Sequence, residues 1–153
     1  MLTPAEVLEL VPQRPPFRFL DELLEIDENH AVGQYTYRRD EFFYVGHFPG
    51  RPMTPGVILV ETMAQTAHAL LMYLLGLELP LEEVRKLGGA GTHVDGDFEH
   101  PVLPGQTVRA RAEKVFYRSH RIKSRVELSL LDGTLVAQGT IAGFAAVTSR
   151  QTP

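Results

Sequence analysis

The sequence predicts an α+β fold in which a curved antiparallel sheet of five or six strands wraps around one long hydrophobic helix. The first indication is an apolar segment over residues 57–75, long enough for a helix of about 30 Å and apolar around most of its circumference. The second is that the chain after this segment has the alternating pattern of long strands. A helix that is apolar on nearly all sides needs the sheet to cover it.

The composition is that of a globular domain. The 153 residues are 44% hydrophobic and 22% charged, and they include no cysteine, which excludes a thiolate nucleophile, a CxxC redox pair and a thiolate zinc site. We expect one domain over residues 1–148 and a short C-terminal tail over residues 149–153. The formal net charge of −4 disfavours a nucleic-acid partner.

We also expect a cytoplasmic protein that does not insert into a membrane. The N-terminal segment contains Glu6 and Glu9 but no basic residue, so it does not have the pattern of a secretory signal. No uninterrupted apolar run approaches the roughly 18–20 residues of a membrane helix. Polar residues interrupt the segment 57–75 at five positions: Glu61, Thr62, Gln65, Thr66 and His68.

The N-terminal elements are a short helix and a hairpin. Thr3, Pro4 and Glu6 form a capping-box pattern that predicts a helix to about Leu10. Three prolines within residues 12–16 exclude a continuing helix and predict an extended lead-in. Residues 17–27 and 31–38 are then predicted to be two strands around a turn.

A rigid loop and the long helix follow. Residues 40–56 contain six glycines and prolines, which restrict or specify the backbone. We expect Thr54 to be the N-cap and Pro55 the first helical residue, with the helix running to Leu75 and ending at Gly76.

The remaining chain is predicted to be strands. Apolar and polar residues alternate over 121–130, the period of a half-buried strand. Asp132 and Gly133 predict a tight turn into a strand over 135–147. Residues 88–99 and 107–118 are predicted to be two further strands.

Two residues could carry acid–base chemistry. His47 lies in the glycine- and proline-rich loop, and imidazole is the side chain that exchanges protons near neutral pH. Glu61 lies in the apolar helix, where a carboxylate is costly unless it is paired, hydrogen-bonded or protonated. Gln65 is four residues on and therefore on the same face. Singly, such residues are often structural. Together with the amides of Gly56 and Val57 at the helix N-terminus, they indicate an active site with an oxyanion-binding position.

The stretch from Gly46 to Gln65, GHFPGRPMTPGVILVETMAQ, strongly resembles the signature of the (3R)-hydroxyacyl-(acyl carrier protein) dehydratases of type II fatty acid synthesis, the FabZ type. The flanking segments PQRPPF and FEHPVLPG agree with it, so the resemblance covers nearly the whole chain. It implies the hot-dog fold of that family. Glu61 resembles the dehydratase-only branch rather than the dehydratase/isomerase branch, which has aspartate there.

The resemblance also implies the roles of the site residues. His47 would remove the C2 proton of the substrate, Glu61 would protonate the departing 3-hydroxyl, the Gly56 amide would hold the thioester oxygen, and Gln65 would support Glu61. No cofactor or metal is implied. The implied substrate contacts are Phe48, Met53 and Phe98.

The implied assembly is a homodimer or a trimer of dimers, with the histidine of one chain facing the glutamate of the other. His68, seven residues after Glu61, could then be a polar residue at the subunit seam. The implied partner is an acyl carrier protein whose substrate is attached through phosphopantetheine.

The docking surface for that carrier is predicted from charge. Residues 109–125 contain seven basic residues and one acidic residue, a net charge of +6, whereas the rest of the chain has −10. Arg118, Arg121 and Lys123 are the predicted docking residues, because a cationic surface suits an acidic carrier. The alternative is an ordinary solvated strand face.

Other interpretations remain open at this point. One is another thioester enzyme of the same fold, such as a thioesterase, an enoyl hydratase or a dehydratase of a specialised pathway. Another is a non-catalytic acyl-binding subunit. A metal site is not expected at His93, Asp95, Asp97 and His100, because strand spacing divides the four residues between two faces.

Overall fold

The computed structural model describes residues 1–147, which form three helices and six strands. The predicted tail lies outside the described residues. The helices are α1 (Pro4–Leu10), α2 (Gly56–Glu78) and α3 (Leu81–Val84), and the strands are β1 (Glu22–Ile26), β2 (His30–Thr36), β3 (Leu87–Phe98), β4 (Thr107–Arg118), β5 (Arg121–Leu130) and β6 (Leu135–Val147).

The strands form one antiparallel sheet with the order β1-β2-β4-β5-β6-β3. Alternate residues of β4 and β5 are buried against α2, among them Val108, Ala110, Val126 and Leu128. Their neighbours along each strand are exposed. The predicted fold, one long helix covered by an antiparallel sheet, is confirmed.

Helix α2 is the centre of the core but has one uncovered stripe. Fourteen of its 23 residues are buried. Val57 is exposed, and Val60, Glu61, Ala64 and His68 are partly exposed. These positions follow the spacing of a single helix face. The predicted active-site glutamate therefore lies on a face of α2 that residues 1–147 do not fully cover.

The expectation that no segment could be a membrane helix by length and composition is wrong. Among the described residues, α2 alone has the length and apolar composition of a membrane span, with a mean hydropathy of 1.4. Its polar residues are too few to lower the mean hydropathy below the value typical of a membrane-spanning helix. In the folded chain 72% of that segment is buried, as expected for the core helix of a globular domain.

The N-terminal predictions are confirmed in part. Thr3 and Glu6 form the predicted capping box, and α1 ends at Leu10. The hairpin between β1 and β2 is present, but residues 17–21 are not part of β1. Their backbone makes different hydrogen bonds, because Gln65 on α2 binds the chain at Phe17 and Phe19.

Both predicted ends of α2 are corrected. Pro55 is the N-cap, and Thr54 makes no cap hydrogen bond because its hydroxyl pairs with that of buried Tyr44 at 2.6 Å. The helix continues through Gly76 to Glu78. A Cβ at Gly76 would lie 2.6 Å from the Leu2 side chain, so this glycine permits close packing of the N-terminus rather than ending the helix.

The later strands agree closely with their predicted ranges, and Gly133 adopts the positive φ of the predicted turn. The short helix α3 was not predicted. Strand β3 pairs only with β6 within the described chain, and its residues from Gly89 to Phe98 are largely exposed. β3 is therefore an edge strand, rich in small residues, lying next to the uncovered stripe of α2 at Gly89 and His68.

Candidate active site

His47 is held in a fixed orientation by its own loop. Its Nδ1 donates a hydrogen bond to the Met53 carbonyl oxygen over 2.8 Å, and the Met53 amide donates to the His47 carbonyl over 2.9 Å. The Phe48 ring stacks on the imidazole at a centroid distance of 4.0 Å. Because a carbonyl only accepts, Nδ1 carries the proton, so the neutral ring has its lone pair on Nε2. The loop thus prepares Nε2 to act as a base.

Glu61 is oriented by a fully buried glutamine. Gln65 Nε2 donates to Glu61 Oε2 over 2.9 Å and to the Phe17 carbonyl over 3.1 Å, while the buried Phe19 amide donates to Gln65 Oε1 over 2.7 Å. The predicted contact between Gln65 and Glu61 is present. Gln65 also fixes the lead-in segment beside the carboxylate, a link between residues 46 and 48 positions apart that the sequence pattern did not reveal.

A cavity of about 160 Å³ lies beside Glu61, between α2 and strands β3 and β6. Ala64, Leu71 and Ile141 make much of its lining apolar. Gln13 and His68 also line it, and the buried atoms Gln13 Oε1 and His68 Nε2 have no hydrogen-bond partner in the described chain. Burial lowers the pKa of His68 to about 4, so its ring is neutral near pH 7.

The N-terminus of α2 forms a second part of the candidate site. No side chain caps the helix, so the amides of Gly56 and Val57 are available to an acceptor. The Phe98 ring lies over Gly56, where a Cβ would be 3.0 Å from the ring. Phe98 also lines a cavity of about 250 Å³ with Val60 and Met63, so this predicted substrate residue is next to the helix terminus.

The cavity beside Glu61 does not contain both predicted catalytic residues. Glu61 lines the cavity beside Gln13 and His68, and His47 is absent from that lining. The predicted substrate residues Phe48 and Met53 contact His47 within the loop, and neither lines the cavity beside Glu61.

The predicted docking residues share one face of the sheet. Arg118 is directly opposite Arg121 in the β4–β5 pairing, and Lys123 is two residues farther on the same face. Within residues 1–147 none of the three forms an ion pair. The guanidinium of Arg121 lies 5.4 Å from the centroid of Phe144, a residue that lines the Glu61 cavity.

Arg111 is the one arginine or lysine of the basic run 109–125 that forms ion pairs within residues 1–147. Arg111 contacts Glu113 at 3.0 Å and Glu25 on β1 at 3.7 Å. Glu127 is opposite Arg111 in the sheet. Arg109, Lys114 and Arg125 form no ion pair within residues 1–147, so the positive charge extends along both strands as well as the turn between β4 and β5.

His93 and Asp95 are two of the four residues at which no metal site is expected. They lie on the same face of β3, where His93 Nε2 and Asp95 Oδ2 are 2.9 Å apart; residues two apart on a strand share a face. This contact and the Thr140 amide lower the pKa of Asp95. Across residues 1–147 there is no group of three or more histidine, aspartate and glutamate residues arranged to hold a metal ion.

The sequence profile of the FabA-like domain matches residues 11–144. A 3-hydroxyacyl-(acyl carrier protein) dehydratase FabZ from Herpetosiphon aurantiacus is 39% identical over 140 residues, covering 91% of this chain and 94% of that protein. A protein of the same name from Acetivibrio thermocellus is 36% identical and covers 92% of each chain.

Solved structures share the architecture at low sequence identity. The dehydratase heterocomplex ApeI:P from Xenorhabdus doucetiae superimposes with a TM-score of 0.74 at 16% identity, covering 95% of this chain and 93% of that one. A hypothetical thioesterase protein from Streptococcus pneumoniae, solved with coenzyme A, gives 0.60 at 12% identity, with 83% and 86% covered. At these identities the likeness shows the fold alone.

Proposed function

Because the chain belongs to the FabA-like domain family and has its hot-dog fold, we propose that it is a hydro-lyase of fatty acid biosynthesis. It removes water from a (3R)-hydroxyacyl group on acyl carrier protein and leaves a trans-2-enoyl group. The C2–H and C3–O bonds break, the C2–C3 double bond forms and water leaves. The FabZ proteins that align with nearly the whole chain carry this activity in their names.

The imidazole of His47 is the proposed base. The hydrogen bond from Nδ1 to the Met53 carbonyl keeps the ring fixed and leaves the Nε2 lone pair to accept the C2 proton. A developing positive charge on the ring is stabilised by the same carbonyl. The stacked Phe48 ring restricts the imidazole further, so little reorganisation is needed on proton transfer.

Glu61 is the proposed acid. Hydroxide is a poor leaving group, so the 3-hydroxyl needs a proton as the C3–O bond breaks. Gln65 holds one carboxyl oxygen, Oε2, which leaves Oε1 to face the substrate. This fixed orientation of Glu61 by a buried glutamine is the observation that carries the proposal.

The amides at the start of α2 are the proposed oxyanion site. Removal of the C2 proton moves negative charge onto the thioester oxygen. The Gly56 and Val57 amides, in a helix terminus that no side chain caps, can donate to that oxygen. The Phe98 ring lies next to this position, over Gly56.

We propose that two copies of the chain complete each active site, as a homodimer or as a larger assembly of such dimers. His47 is not in the Glu61 cavity of its own chain. The exposed edge of β3 and the uncovered stripe of α2 offer a surface for a second copy. In that assembly the His47 of one copy faces the Glu61 of the other.

The direct test is dehydration of a 3-hydroxybutyryl carrier-protein substrate, followed by enoyl formation and its reversal. His47→Ala and Glu61→Gln should each lower kcat by at least about 100-fold, with the circular dichroism of the wild type retained. Full rate in either variant contradicts the assigned role. Release of free acid would instead identify a thioesterase, and binding without turnover a non-catalytic acyl-binding subunit.

A second test addresses the carrier. Arg121→Glu and Lys123→Glu should raise KM for the carrier-bound substrate, most strongly at low salt, and leave turnover of a short soluble thioester unchanged. Lys86→Glu is a matched charge reversal at a residue that pairs with Glu83 and should have no such effect. Equal loss on both substrates would exclude a docking role.

A further inference from the structure

The cavity beside Glu61 contains polar atoms that the proposed dehydration does not use. Gln13 Oε1 and His68 Nε2 both line it, both are buried, and neither has a hydrogen-bond partner within residues 1–147. The remaining lining is mostly apolar. Buried polar atoms without partners are rare in folded proteins because each one costs free energy. Both atoms are therefore available to a ligand with matching groups.

The position of His68 relates this cavity to the substrate. His68 follows Glu61 by seven residues, so it is on the same face of α2 and about 10 Å farther along the helix axis. A substrate whose C3 hydroxyl is at Glu61 can extend its acyl chain along Ala64 toward His68 and Leu71, which line the same cavity. The polar atoms therefore lie where the distal part of the acyl chain would be.

The residues around His68 leave space for its ring in the cavity wall, and burial keeps the ring neutral. A Cβ at Gly89 would lie 2.7 Å from the His68 ring, so only glycine at this point of β3 leaves room for the imidazole. The ring is neutral near pH 7 because burial lowers its pKa, and a neutral imidazole has one donor and one acceptor nitrogen.

The chemistry of the two atoms selects among possible groups on that chain. A saturated chain would leave both atoms without a partner. A carbonyl group could not pair with Gln13 Oε1, because both atoms are acceptors. A hydroxyl group can both donate and accept, so it can pair with Gln13 Oε1 and with His68 Nε2 in either tautomer.

We propose that Gln13 and His68 form a hydrogen-bonding subsite for a hydroxyl group on the distal part of the acyl chain. This inference rests on the proposed function for the position of the substrate. Its consequence is specificity: among acyl chains of equal length that reach His68, the protein prefers the hydroxylated chain to the saturated one.

The test is a binding measurement that needs no turnover. Stable pantetheine amides of decanoic acid and of ω-hydroxydecanoic acid are titrated into the purified protein by calorimetry, with the octanoyl pair as a shorter series. We expect the hydroxylated amide of at least one pair to bind more tightly to the wild type. The ratio of the two dissociation constants should fall about tenfold in the double variant Gln13→Leu, His68→Leu, and His68→Gln, which keeps a polar group, should retain most of the preference.

The butyryl pair is the matched control, because those chains end before His68 and should show no change of ratio between wild type and variants. If the wild type prefers the saturated amide in both longer pairs, or if neither amide binds, the subsite is refuted without reference to any variant. An unchanged ratio in the folded double variant also refutes it. A wild type that shows the binding preference but does not dehydrate the carrier-bound substrate would refute the proposed function and leave the subsite supported.

Discussion

Gln65 both holds the lead-in segment and orients Glu61, so its replacement should lower the stability of the folded chain. Its side chain is fully buried and makes three hydrogen bonds, to the Phe19 amide, the Phe17 carbonyl and Glu61. Gln65→Leu keeps the volume and removes all three. Each bond contributes about 1 kcal/mol net, and the buried Phe19 amide left without a partner costs about 1–3 kcal/mol more.

The free energy of unfolding should therefore fall by about 4 kcal/mol in Gln65→Leu, as measured by urea unfolding followed by circular dichroism at a fixed protein concentration. Gln65→Glu also removes the amide donor and buries a second carboxyl group beside Glu61 and the Phe17 carbonyl, so it should lose at least as much. Gln34→Leu removes hydrogen bonds on the exposed face of β2 and should cost below about 1 kcal/mol. If Gln65→Leu unfolds within about 1 kcal/mol of the wild type, Gln65 does not hold the lead-in segment as the structure indicates.

Two further predictions concern the cavity wall and the sheet. Burial lowers the pKa of His68 to about 4, so below its ordinary value of about 6.5 the unfolded chain binds a proton that the folded chain does not. The free energy of unfolding is therefore not reduced by His68 above about pH 6.5, and it should fall by about 2 kcal/mol between pH 7 and pH 5, as measured by urea unfolding. The same fall in His68→Leu would contradict this origin. Gly139→Ala should lower the thermal midpoint by several degrees because its Cβ would overlap the Asp95 carbonyl oxygen of β3, whereas Gly91→Ala, with open space around its Cβ, should not; equal midpoints for the two variants would show that the β3–β6 contact is looser than described.

The sequence predicted the fold well wherever one pattern determined the local structure. Alternation located β5, the Asp132–Gly133 turn located the start of β6, and the capping box located α1. The pattern was insufficient where a distant side chain decides the outcome. Residues 17–21 have strand-like composition, but the side chain of Gln65 takes their backbone hydrogen bonds. Gly76 resembles a helix end, but the helix continues through it and the Leu2 side chain packs closely against it.

The site could be predicted only in its parts. Spacing placed Gln65 beside Glu61, and that contact is present. Spacing also placed His68 on the face of Glu61, yet only the folded chain shows that it lines a cavity with Gln13, a residue 55 positions earlier. Such a meeting depends on how the lead-in segment packs across α2, which no local pattern contains. Two features of the sequence could have indicated this shared cavity. His68 is a polar residue in an otherwise apolar helix, and Gln13 is a polar residue in a segment restricted by prolines.

The order of the strands also constrains the synthesis of the protein. Strand β3 is made directly after α2 and α3, but within the described chain its only partner is β6, which ends at Val147. During translation β3 must therefore wait until β4, β5 and β6 have been made before its hydrogen bonds can form. In that interval its glycine-rich backbone and the His68 side of α2 are accessible to a nascent-chain chaperone.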